Sequence, residues 1–162
     1  MTRVLGIDPG TATVGWAVIE EKNGILLPVA FGHIATSKNN SEENRLAEIA
    51  ADLISIIKKY KPAEAAIEQL FFFKNQKTII QVGQSRGVTL LTLEQKGVRI
   101  ANYTPLQVKQ SVTGYGKAEK KQVQLMVKSI LKLKAIPKPD DTADAIAIAI
   151  CHINSRKNSA RD

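Results

Sequence analysis

Apolar residues recur along this chain with two different periods, and the switches between them divide it into elements. Residues 3 to 8, RVLGID, are a short apolar run ending in an acid, and VGWAVIEE from Val14 alternates after a glycine-containing turn. Both predict strands, and a third follows over ILLPVAFGHIAT. From Ser41 the period changes: Leu46, Ile49, Ala50, Leu53, Ile54 and Ile57 repeat at helical spacing, and Ser41 with Glu42 and Glu43 forms a helix start. That helix stops near Tyr60, before Pro62. AEAAIE (63 to 68) predicts a fourth strand, residues 75 to 96 a second long helix, and VRIANY (98 to 103) a fifth strand. Helical segments over roughly 118 to 133 and 142 to 153 close the chain, and the polar NSRKNSARD after Ile153 predicts fraying. The order of elements predicts an α/β fold, a five-stranded mixed sheet flanked by helices, because the last strands are joined by crossovers long enough to run parallel. A single domain over residues 1–155 with a disordered polar tail over 156–162 is expected.

Composition narrows the chemistry. A length of 162 residues with 44% hydrophobic content suits one core. The 23 Lys+Arg against 15 Asp+Glu give a formal charge of +8, which favours an anionic partner such as nucleic acid. Cys151 is the single cysteine, and His33 and His152 are the only histidines, so a disulfide framework and a usual zinc site are both excluded. A bound metal would be held by oxygen. The amino terminus has no signal-peptide pattern and no segment is apolar over a bilayer's thickness, so a cytoplasmic protein without a membrane partner is expected.

Three features put carboxylates where they can meet. Asp8 ends the first strand and Glu68 the fourth; if those strands are neighbours, both acids stand at the sheet edge where open α/β sheets place ligands. Asp141 and Asp144 are three apart at a helix start, as Asp140 and Asp144 are four apart, so either pair can face one way. Each acid alone has a bland explanation as a strand end or a helix-start residue. Asp144 fits it least, because it lies one turn inside a segment apolar enough to be buried. Two carboxylates about 4 Å apart repel by about 4 kcal/mol at an effective dielectric of 20. A divalent cation resolves this, and hard Mg²⁺ or Mn²⁺ suits an all-oxygen site that hydrolyses phosphodiesters.

GIDPG with Asp8, AIEQLFFFKN with Glu68, QVGQSRGV, PLQVKQSVTGYGKAEKKQVQ and DTADAIAIAI together resemble the RuvC family of Holliday junction resolvases, in order from about residue 3 to residue 153. The resemblance implies a ribonuclease H-like fold, a homodimer, and metal-dependent paired cutting of two symmetry-related strands of a four-way DNA junction. The setting is homologous recombination and DNA repair, and the products carry 5′-phosphate and 3′-hydroxyl ends. It further implies two Mg²⁺ ions per subunit, with Mn²⁺ able to substitute, and a branch-migration complex of the RuvA and RuvB type as partner. The family's metal-binding, catalytic acids match Asp8, Glu68, Asp141 and Asp144, while Asp140 falls outside the pattern.

Phe71 matches the position thought to stack on an unpaired base at the junction centre; Phe72 and Phe73 are not general features of the family and suit anchoring of the loop. Lys109 and Lys120 match family lysines that approach the phosphate near the cut, and Lys74, Lys117 and Lys121 join them as candidate DNA contacts. From Lys109 to Lys138 the chain holds eight lysines and one acid, Glu119, more than an ordinary solvated helix face. Gly83 and Gly87 permit close approach to the second long helix, by the sheet or, on the resemblance, by a second subunit.

Competing readings are weaker. A binding module without catalysis would hold junctions and never cut them. GIDPGTATVG as an ATPase phosphate loop requires a second such loop and a longer chain, and GYGKAEKK lacks the full nucleotide-binding pattern. A nuclease for ribosomal RNA precursors would lack the phenylalanine loop and the lysine-rich segment.

Overall fold

The apolar runs and alternating stretches become five strands: β1 (Thr2–Pro9), β2 (Thr13–Lys22), β3 (Ile25–Ala35), β4 (Glu64–Glu68) and β5 (Arg99–Tyr103). The structure, a computed structural model, describes residues 1–10, 12–69 and 76–159. The sheet order is β3-β2-β1-β4-β5. β1, β2 and β3 pair antiparallel, and the tight turn between β2 and β3 is Asn23-Gly24, both at positive φ (52° and 80°), the backbone that an Asn-Gly hairpin supplies. β4 and β5 join parallel because each is reached through a helix, α1 (Glu42–Tyr60) and α2 (Gln76–Gln95). Ser41 caps α1 by accepting from the Asn44 N–H, and Lys61 ends it in the left-handed conformation.

Period-two side chains divide the core in two. On one face Leu5, Ile7, Val18 and Ile67 pack with Ile49 and Leu53 of α1 and Leu93 of α2. On the other, Val4, Ala17, Ile19 and Ala66 pack under α3 (Pro105–Thr113), α4 (Lys120–Ile130) and above all α5 (Asp140–Ser159), where every residue from Ala145 to Ile153 is buried. Burial on nearly all sides explains why that helix reads as continuously apolar. No described helix is long and apolar enough to cross a membrane.

Three boundaries differ from the sequence pattern. Residues 105 to 113, not expected as an element, form α3, with a capping box between Thr104 and Gln107, proline at its start and Gly114 (φ 77°) closing it. α4 is shorter than the expected 118 to 133. α5 begins at Asp140 and continues through Ser159, past the expected end at residue 153 and into the segment whose composition predicts a disordered tail. Its polar residues there have partners: Asn154 Nδ2 donates to Ser111 Oγ (3.1 Å), Ser155 Oγ to the Cys151 carbonyl (2.9 Å), and Arg156 Nε lies 3.3 Å from Glu64 Oε2.

Candidate active site

Strand parity brings the first two acids together. Val4 and Ala66 belong to the α5-side core, so two-residue steps put Gly6 and Asp8 on β1, and Glu68 on β4, on that same face. Ile7 pairs with Ile67, which makes Asp8 and Glu68 neighbours at the carboxyl end of two parallel strands. The other two acids arrive because α5 can lie directly on the sheet. A Cβ at Gly6 would stand 2.1 Å from the Ala145 carbonyl oxygen, and one at Gly15, the partner of Asp8 on β2, 1.9 Å from the Asp141 carbonyl oxygen. Only hydrogen at these two positions admits the helix backbone, and the first turn of α5 is thereby set beside Asp8.

One carboxylate oxygen each from Asp8, Asp141 and Asp144 lies within 4.8 Å of the others. Thr13 donates a hydrogen bond from Oγ1 to Asp141 Oδ2, tying the helix start to β2. Glu68 and Asp144 line a small cavity of about 60 Å³ with Lys109, Pro105, Val108, Val123 and Ala147. Lys120, at the start of α4, places Nζ 3.4 Å from Asp144 Oδ2 and 3.4 Å from Asp140 Oδ2.

Like charges in a partly buried place resist ionisation. Burial, then the charges of Asp144, Asp141 and Glu68, hold the Asp8 carboxyl well above the usual carboxylate range, with Lys120 opposing. Glu68 is pushed up to about 7 by burial and by Asp144, against Lys109 and Lys120. Asp144 is raised by burial although Lys120 beside it pulls the other way. A cation binding among these oxygens would remove the repulsion, and an all-carboxylate donor set suits a hard divalent ion. The residues present therefore fit such a metal, with Asp8, Asp141 and Asp144 as first candidates and Glu68 beside them.

The expected grouping of Asp8, Asp141 and Asp144 is found, with Glu68 in electrostatic contact with it. Asp140 lies outside, held instead by Lys120, Lys138 and Gln124. Lys109 on α3 lines the Glu68 cavity; Lys117 and Lys121 are exposed, in the loop before α4 and in its first turn. Phe71, Phe72, Phe73 and Lys74 lie outside the described residues. Sequence reasoning missed Thr13, and it missed a second acid on the site's face of β4, Glu64, whose buried carboxylate meets Arg99, His152 and Arg156.

A mixed sheet in the order β3-β2-β1-β4-β5, with carboxylates converging from the ends of β1 and β4 and from the helix across them, defines a ribonuclease H-like protein. The sequence model described as "Crossover junction endodeoxyribonuclease RuvC" matches residues 4–152. Proteins of that name from Roseiflexus sp. (strain RS-1) and Caldicellulosiruptor saccharolyticus are 54% identical over 93% of this chain and 90% of the relative, and 55% identical over 94% and 93%. The solved T. thermophilus RuvC in complex with Holliday junction substrate superposes with a TM-score of 0.92 at 32% identity, covering 98% of this chain and 97% of that one. The chain belongs to the RuvC family of crossover junction endodeoxyribonucleases.

Proposed function

We propose that this protein is a metal-dependent endonuclease that resolves four-way DNA junctions by paired symmetric nicks, in homologous recombination and DNA repair in the cytoplasm. The observation that carries the reading is the carboxylate cluster of Asp8, Asp141 and Asp144 with Glu68 beside it, in a chain of this family. Asp8, Glu68 and Asp144 hold the metal, and Asp141 holds an ion or orients the attacking water. Bound Mg²⁺, two ions per subunit with Mn²⁺ as substitute, supplies charge neutralisation at the phosphate and an activated water. Thr13 fixes the Asp141 carboxylate through its hydroxyl. Lys109 and Lys120 bring positive charge from α3 and α4 to the edge where the scissile phosphate must sit. Lys74, Lys117 and Lys121 extend the contact along the backbone, and Phe71 stacks on an unpaired base, worth about 1–3 kcal/mol. Cleavage leaves 5′-phosphate and 3′-hydroxyl ends.

A junction offers two equivalent strands, which a two-fold dimer matches. Ile80, Gly83, Gly87 and Leu91 form one exposed stripe of α2, with Ile80 71% and Leu91 58% exposed. Among the described residues, nothing beyond the helix's own local backbone lies within 4 Å of a Cβ built at Gly83 or Gly87, which supports this stripe as the surface for a second subunit. A branch-migration complex of the RuvA and RuvB type is the proposed further partner. The deciding experiment is cleavage of a mobile four-way junction labelled on each strand in turn, with Mg²⁺, Mn²⁺ or chelator, beside Asp144→Asn. Paired nicks that need both metal and Asp144 are expected; tight binding without cutting in any metal would sink the proposal.

A further inference from the structure

Asp140 is the acid of the α5 start that stands apart from the carboxylate cluster, yet it is tied to it through one lysine. Its Oδ1 accepts from Gln124 Nε2 at 3.1 Å and lies 3.5 Å from Lys138 Nζ, while its Oδ2 faces Lys120 Nζ at 3.4 Å. Gln124 is buried within α4, 6% exposed, so the carboxylate is braced from the packed side and presents its other oxygen to the lysine. Lys120 is held between two acids of different fate. Asp144, the second, belongs to the proposed metal cluster and would have its charge committed there once a cation is bound. Asp140 is about half-exposed and stands outside the cluster, so its Oδ2 is left to face the lysine.

We infer that Asp140 is a positioning residue for Lys120: it retains the amine at the edge of the active site when Asp144 is engaged as a metal ligand. The inference rests on the proposed active site and adds to it a residue that the four-acid set leaves out. Without Asp140, an amine on a four-carbon stem beside a loaded metal site would be repelled toward solvent, and the order gained by the ion pair would be lost. A purely structural role is also available, since an acid in the first turn of a helix favours it. That role acts on folding whatever occupies position 120, and a double-mutant cycle separates the two.

The test compares wild type, Asp140→Asn, Lys120→Met and the double variant, with single-turnover junction cleavage in Mg²⁺ and junction affinity measured in chelator. Asp140→Asn is expected to slow cleavage about 3- to 10-fold, to leave affinity in chelator within about twofold, and to have no further effect once Lys120 is methionine. Asp140→Glu should recover most of the rate. A second readout needs no DNA and no turnover. In Mg²⁺, acetylation of Lys120 by a mild N-hydroxysuccinimide ester, followed by peptide mass spectrometry and referenced to Lys128, should rise about threefold or more in Asp140→Asn. Equal slowing by Asp140→Asn in both backgrounds, or unchanged acetylation, overturns the inference. Wild-type cleavage by Lys120→Met would instead remove Lys120 from the proposed site, and a failure of wild type to cut would remove the site reading itself.

Discussion

Raising the pH in the presence of chelator should weaken the fold, and Glu68 contributes a share of the effect that a single variant isolates. Its carboxyl is pushed from 4.5 up to about 7, first by burial and then by Asp144. The folded protein therefore holds a proton on Glu68 across a range where the unfolded chain has released it. A raised carboxyl contributes stability that is present at the acidic end of that window and is lost as pH climbs through it. At 1.36 kcal/mol per unit the displacement is worth about 3 kcal/mol, and remaining solvent access brings it to about 1–3 kcal/mol. For a chain of this length each kcal/mol moves Tm by about 2–4 °C, so Glu68 alone should lower the Tm of metal-free protein by roughly 2–12 °C between pH 5 and pH 8. Other groups change charge over the same range, so the decisive quantity is the difference between wild type and Glu68→Gln. Calorimetry or scanning fluorimetry in chelator should find the variant the more stable at pH 8, with a shallower slope. Saturating Mg²⁺ should restore wild type by a similar amount, since 100-fold excess over Kd is worth about 2.7 kcal/mol, and should do less for the variant. A wild-type Tm that is flat from pH 5 to 8, or a Glu68→Gln slope as steep as wild type, would refute the reasoning.

Three further outcomes test the architecture. Asp8→Asn should abolish cleavage while junction binding, followed by gel shift in chelator, is preserved or strengthened, because a negative charge next to the phosphate is removed; equal loss of binding would argue against a catalytic role. Gly6→Ala puts a Cβ 2.1 Å from the Ala145 carbonyl oxygen, so α5 must lift from the sheet; a loss of about 1–3 kcal/mol or more in urea unfolding and a larger drop in cleavage than in binding are expected. Gly87→Arg places a charge in the exposed α2 stripe and should yield monomers by light scattering without lowering Tm, whereas an unchanged mass would remove this stripe as the subunit contact.

The parts of the fold legible in the sequence were those whose period is long and whose termini are marked. The five strands and α1 follow the apolar pattern closely, and Asp8 and Glu68 could be placed at one edge if their strands were neighbours, whereas helix spacing alone left Asp140 and Asp141 as alternatives beside Asp144 and the resemblance chose Asp141. The helix α3 carried its start and stop in the open, with Thr104, Pro105, Gln107 and Gly114, but spans nine residues of which Val108 and Val112 are the buried ones, too few to show a period. Polar residues hid the end of α5, because their partners Ser111 and Glu64 lie 43 or more positions away in the chain. The link between Thr13 and Asp141 spans 128 positions and has no local pattern at all. Gly6 and Gly15 could be read as turn or strand glycines; that they admit a helix backbone is a fact of tertiary packing.

Two acids four residues apart on β4 show why one is structural and the other is left for chemistry. Glu64 and Glu68 share a face of the strand, and both are withdrawn from solvent to a large extent. Around Glu64 the chain has placed its own partners: Arg99 Nη2 at 2.6 Å from the neighbouring strand, Arg156 Nε at 3.3 Å, and His152 Nε2 at 2.8 Å with its Nδ1 engaged by the Tyr103 hydroxyl at 2.7 Å. A carboxylate satisfied in this way has no need of an external ion. Glu68 has no ion-pair partner among the described residues, and Lys109 and Lys120 act on it only from further off. The carboxyls of Asp8 and Asp144 are added to its surroundings where Glu64 receives guanidinium groups, an arrangement that stability alone would select against. Four acids that the fold gathers with one lysine in ion-pair distance among the described residues, Lys120 at Asp144, are explained by a cation that arrives from outside and supplies the charge that the chain itself does not.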